Sequence, residues 1–154
     1  MKKITALILS IVLALLAFTS CGSTVAEKGD VTVVVEVAEG EYEVYKTYLE
    51  NVENKSNGAL GVLENLRDRE NDPLHLVYSE STYGAFVTEI GSIKEDAAAG
   101  AYVMVYTSVQ ADSYEGAPVV NYEDTELYSA GLGISTMTVN SGTVILFRIE
   151  VYSY

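Results

Sequence analysis

Between Tyr83 and Val109 the chain reads YGAFVTEIGSIKEDAAAGAYVMVYTSV, two apolar runs with strand alternation on either side of a small, flexible connection. In the first run Phe86, Thr88 and Ile90 alternate with Ala85, Val87 and Glu89. In the second, Tyr102, Met104 and Tyr106 alternate with Ala101, Val103 and Val105. A period of two puts each set on its own face of a pleated strand. The pair is therefore expected to be the centre of a β-rich body, with the other apolar segments as its partners.

Those segments carry the same signal. Val31 to Ala38 is rich in β-branched residues, and Tyr42 to Leu49 follows a turn at Glu39-Gly40-Glu41. Together they predict a first hairpin. Leu60, Leu63 and Arg67 recur at helical spacing after Ser56 or Asn57, either of which can cap a helix that Asp72-Pro73 ends. Leu74 to Tyr78 reads as a short strand. Gln110 to Glu126 is expected to be the longest irregular stretch, and Ile134 to Val139 a weak strand. Thr143 to Tyr152 is the last strand, with Ile145, Phe147, Ile149 and Val151 facing the core and Val144, Leu146, Arg148 and Glu150 facing away. A sheet face must be buried against something. The expected class is α+β: one β-grasp-like curved mixed sheet packed on a single helix, with the last strand returning to its centre.

The formal charge of −13 disfavours nucleic acid and anionic lipid headgroups as partners. At the start, Lys2 and Lys3 precede an apolar run from Ile4 to Phe18, the order found in a secretory signal. The run is shorter than the roughly 20 residues of a comfortable membrane span. Phe18-Thr19-Ser20-Cys21 resembles the lipobox of bacterial lipoproteins, with Phe18 where Leu is usual. That resemblance implies diacylglycerol on the Cys21 thiol and cleavage before it. The division expected is a leader over 1–20, a tether over 21–29 and a domain over 30–154, lipid-anchored on the extracytoplasmic face of a membrane.

Four stretches carry a second resemblance. They are Val31-Thr32-Val33, Gly84-Ala85-Phe86-Val87-Thr88-Glu89-Ile90, Gly100-Ala101-Tyr102-Val103-Met104-Val105-Tyr106, and Asn140-Ser141-Gly142 leading into Thr143-Val144-Ile145-Leu146-Phe147. In these the chain is similar to the transcobalamin-like C-terminal domain of bacterial surface lipoproteins, a family largely without assigned function. Val103 stands where the family often has Trp, Ser108-Val109 where it often has Asn-Gly, and Thr143 where Asp is common. In vertebrate cobalamin carriers a domain of this kind covers one side of the corrinoid, beside a larger helical domain that this chain is too short to hold. The resemblance implies a half-site and fits a Gram-positive surface best.

Two functions follow. The first is a binding module for a small ligand, such as a cobalamin-like molecule, with Tyr83, Tyr102 and Tyr106 as contacts; packing on a β-face is the other reading of those tyrosines. The second is a surface module that binds another envelope protein through an edge strand or loop. Asp112, Glu115, Glu123, Asp124 and Glu126 are hard-oxygen candidates for calcium, without the spacing of a calcium loop. They are read as a solvated acidic loop, and no metal or cofactor is expected. Catalysis is not expected either. The one cysteine is committed to lipid, the one histidine, His75, has no evident partners, and no nucleophile or phosphate-cradling motif occurs.

Overall fold

The computed structural model describes residues 25–152; the leader and Cys21 lie outside them. The chain runs β1 (Asp30–Ala38), β2 (Glu41–Tyr48), α1 (Gly58–Arg67), β3 (Leu76–Ser81), β4 (Gly84–Ile90), β5 (Ile93–Lys94), β6 (Ala101–Thr107), β7 (Val119–Tyr122), β8 (Thr125–Ser129) and β9 (Thr143–Val151), with short 3-10 turns between. The class is α+β: among the described residues, a mixed curled sheet, a smaller three-stranded sheet and one α-helix.

The first hairpin forms as its alternation predicts, paired from Asp30↔Tyr48 to Ala38↔Glu41 around Gly40, whose φ of 76° suits a residue without a side chain. Helix α1 turns Leu60, Val62, Leu63 and Leu66 inward. Asn57 stands at its N-cap position without a side-chain cap bond, so the cap chemistry expected there is not used. The helix also stops at Arg67, five residues before Asp72, where Asp68 N–H closes onto Glu64 C=O.

Strand β9 lies inside the main sheet, of order β2-β1-β9-β6-β8-β7. It runs parallel to β1 and antiparallel to β6. Over its first half it is buried on both faces, by the main core on one side and by the curl of the sheet on the other. Ile145 and Phe147 face α1, while Leu146 enters a second cluster with Val34, Tyr106, Tyr122 and Leu127. The sheet closes over that cluster by curling, which brings Tyr42 of β2 edge-on to Tyr122 of β7 at 5.1 Å between ring centroids. The inward side expected for β9 is thus half of the answer, and Val151, expected in the core, is 67% exposed at the strand end.

Three other expectations change. The runs read as a strand pair, β4 and β6, do not pair: β4 belongs to a separate three-stranded sheet, β3-β4-β5. The stretch 110–126 read as irregular contains β7 and the first two residues of β8, paired antiparallel around Glu123, whose φ is 51°. Ile134–Thr136 is a 3-10 turn, and the only strand-like pairing left in the weak strand is a bridge from Val139 to Val25. That bridge, with Ala26 N–H donating to Val139 C=O at 2.8 Å, makes residues 25 and 26 part of the folded body rather than tether.

Candidate functional site

The separation of β4 from β6 leaves a cleft between the two sheets. Strand β6 is tied to β9 along its whole length, but to β8 only at Tyr106 and Thr107. Strand β4 is tied to β3 along its length and to β5 only at Glu89 and Ile90. The cleft of about 140 Å³ lies between the remaining parts of these strands. Phe86 and Val87 form one wall, Val103, Met104 and Val105 the other, and the segment from Ala130 to Ile134 closes an end. Its volume is below the roughly 300–1,000 Å³ range of small-molecule sites, and the space reaches that range only together with an adjoining recess of about 420 Å³.

Its closed end is set by backbone contact. A Cβ on Gly133 would lie 2.6 Å from Tyr83 C=O and 2.8 Å from Gly84 Cα, so only glycine lets the two segments touch. Ala85 N–H donates to Ser135 Oγ at 3.0 Å, which fastens the start of β4 to the same segment. At the opposite end the cleft continues into a recess lined by Phe86, Val87, Glu95, Tyr102, Val103, Met104 and Tyr152. Phe86 and Leu132 stand 45% and 42% exposed, an apolar mouth on an otherwise acidic molecule.

The three candidate tyrosines are divided by this geometry. Tyr102 is half-buried on the recess wall, its ring 6.3 Å from that of Tyr152. Tyr83 is 80% exposed at the β3–β4 turn, its carbonyl against Gly133 at the closed end. Tyr106 is 1% exposed, and its hydroxyl donates to Glu150 Oε1. Burial first, and then the Glu150 carboxylate, push that hydroxyl well above the ordinary tyrosine value. Tyr106 is a packing residue of the second cluster, out of reach of a ligand in the cleft. Its position in alternation with Tyr102 gave no warning, because the curl covers one end of β6 and not the other.

Residues that sequence reasoning passed over are Phe86, Met104, Leu132 and Gly133. Phe86 and Met104 were visible only as members of an alternating face. Leu132 and Gly133 lie in a weakly patterned segment, and nothing local shows that it will close a cleft.

The acidic loop does not converge. Asp112 is buried and accepts from Thr138 N–H at 2.6 Å and Thr138 Oγ1 at 3.2 Å. Glu126 accepts from the Tyr128 hydroxyl. Among the described residues no group of three or more His, Cys, Asp or Glu side chains is disposed to hold a metal ion. His75 faces solvent beside Glu89, whose other oxygen takes Lys94 Nζ at 2.6 Å. Those two partners, Lys94 before His75, hold the Glu89 carboxyl below its ordinary value, as in a surface ion pair.

No family model and no curated relative matches the chain. Solved structures do. A protein of Ruminococcus gnavus named as a candidate metal-binding protein is similar over 81% of this chain and 99% of its own, with a TM-score of 0.53 and 12% identity. Haptocorrin, in its complex with Cbi, is similar over 82% of this chain with a TM-score of 0.56 and 15% identity. The likeness takes in 26% of haptocorrin, so the chain spans about a quarter of that protein. At such identities the likenesses establish a shared, transcobalamin-like fold and nothing of its use.

Proposed function

We propose that this chain is a non-catalytic binding domain of the transcobalamin-like C-terminal type, β-grasp-like in plan. It is held on the extracytoplasmic face of a membrane, that of a Gram-positive cell, by lipid on Cys21. Its ligand sits in the β4–β6 cleft. The observation that carries this reading is the cleft itself: an apolar seat with an exposed aromatic lip, Phe86, and no charged side chain in its lining. Apolar enclosure supplies affinity of roughly 25 cal/mol per Å² of apolar surface removed from water.

The ligand class most in keeping with the haptocorrin-like fold is a cobalamin-like small molecule. Tyr102 and Tyr83 stand at the two ends of the cleft to meet it. The cleft is open on one side, so this domain would supply one half of the enclosure and a partner protein the other. Titration of the full chain in lipid nanodiscs with cobalamin tests this. Saturable binding is expected, weakened at least tenfold by Phe86→Glu, which puts a charge on the exposed lip. Absence of binding up to millimolar cobalamin would remove that ligand.

A second reading, a domain that binds another envelope protein, is favoured by one specific observation: among the described residues, no strand or turn pairs with β4 at Val87 or with β6 at Val103 on the sides that border the cleft. One structural neighbour is named as a candidate metal-binding protein, but the lining of this cleft has no hard-oxygen side chain to hold a metal.

A further inference from the structure

The polar groups of this cleft come from backbone. On β6, Ala130 N–H donates to Val105 C=O at 3.0 Å, and Ala101 exchanges both of its backbone bonds with Asp96. Both sets of groups point away from β9. Alternation along the strand makes Val103, midway between them, point the same way. On β4, Ala85 N–H turns from β3 to Ser135, and the same alternation turns Val87 N–H and C=O toward the cleft. Among the described residues no strand or turn takes up these groups of Val87 and Val103. Val87 is 6% exposed. Backbone groups in such a position are nearly always paired, with protein, water or ligand.

We propose that the cleft receives a short extended peptide segment of an envelope protein, seated by main-chain bonds to Val103 and Val87. This rests on the reading that the cleft is the binding seat, and it names the occupant. An extended chain presents N–H and C=O at every second residue on each edge, the pattern these two strands leave open. The length is limited at both ends. Asp96 occupies the edge at Ala101 and Ala130 occupies it at Val105. The gap between is about 13 Å at roughly 3.3 Å per residue, enough for about three residues. Side chains entering the seat are small or apolar, to match Ala85, Val105, Ile134 and Phe147. Residues on either side of the seat are basic, because the molecule carries −13 and Glu95 borders the adjoining recess.

The test uses the full chain in nanodiscs and an end-capped peptide of two lysines, valine, alanine, valine and two lysines. Calorimetric titration is paired with amide hydrogen exchange. The expected result is saturable binding, with new protection at Val87 and Val103. N-methylation of successive peptide amides should weaken it tenfold or more with a period of two, a signature that greasy adsorption cannot give. Binding indifferent to N-methylation, or protection confined to the outer edge of β2, overturns the proposal. Cobalamin binding that Phe86→Glu weakens, with no peptide binding up to millimolar, overturns it too and leaves the cleft as the seat. If neither ligand binds, the cleft reading falls with it.

Discussion

Asp112 carries the largest lesson at the scale of one residue. Its carboxylate, 5% exposed, holds Thr138 by backbone and hydroxyl, pinning the chain before β7 to the segment before β9. Burial pushes its carboxyl above the ordinary value, and the two Thr138 bonds oppose that only in part. The folded state therefore keeps the proton to higher pH than the unfolded state. The stability this gives is fully present below the ordinary carboxylate value and is lost as pH rises through the raised folded value. Asp112→Asn should flatten the fall in melting temperature across that window, as thermal unfolding from about pH 3 to about pH 7 would show; an unchanged slope would assign the effect elsewhere. Asp112→Ala, which leaves Thr138 N–H without its acceptor, should cost roughly 1–3 kcal/mol. Gly61 gives a prediction with a sign opposite to habit. Glycine within a helix usually costs about 1 kcal/mol relative to alanine. Here a Cβ would strike the Asn54 carbonyl oxygen, a backbone atom with no side chain to yield. Gly61→Ala should destabilise by about 1–3 kcal/mol in chemical denaturation, whereas a gain would mean that the turn before α1 is free to move.

At the scale of elements, β9 shows how position in a sheet outranks pattern. Strand β1 is parallel to it on one side and β6 antiparallel on the other, so from Ile145 to Arg148 both of its edges are paired. Phe147 packs in the core shared with α1, while Leu146 fills the inside of the curl. Phe147→Ala should cost roughly 3–5 kcal/mol. Val151→Thr, at the exposed end of the same strand, should stay within about 0.5 kcal/mol. Equal losses at the two positions would contradict the burial of β9 described here. Strand β2, at the sheet's edge, is guarded by other means. Lys46 is exposed along it, and Arg69 reaches Lys46 C=O at 3.4 Å and lies over the Tyr45 ring. Charges of this kind discourage a second strand from adding there. No such guard stands at Val87 and Val103, which is why the cleft and not the outer edge is the proposed seat.

At the scale of the whole molecule, the proposed anchor at Cys21 and the proposed binding cleft are tested by separate substitutions. Among the described residues the core begins at Val25, and Cys21 lies outside the described residues. Cys21→Ser should move the protein from the membrane fraction to the soluble fraction of a fractionated cell while leaving its melting temperature within about 2 °C, a shift smaller than about 1 kcal/mol gives. Retention of the variant in the membrane would argue against a lipid anchor at this residue.

Much of the scaffold was legible in the chain itself. The alternation in Val31–Ala38, Ala101–Ser108 and Thr143–Tyr152 is a local property of a pleated backbone, and each of these became a strand. The spacing of Leu60, Leu63 and Leu66 likewise fixed a helix and its buried face. What alternation cannot state is which strand sits beside which, because pairing is made between residues far apart in sequence. So the two runs between Tyr83 and Val109 were readable as strands, but not as members of different sheets. The curl of the main sheet buries Tyr106 and leaves Tyr102 in reach, though the two share one face of one strand. Among the described residues β5 and β8 stop short of Val87 and Val103, and the binding proposal is built on the edges they leave uncovered. Sequence determined the elements through short-range sterics and periodicity; tertiary structure alone decided the cleft, since a gap is defined by the partners that fail to reach it.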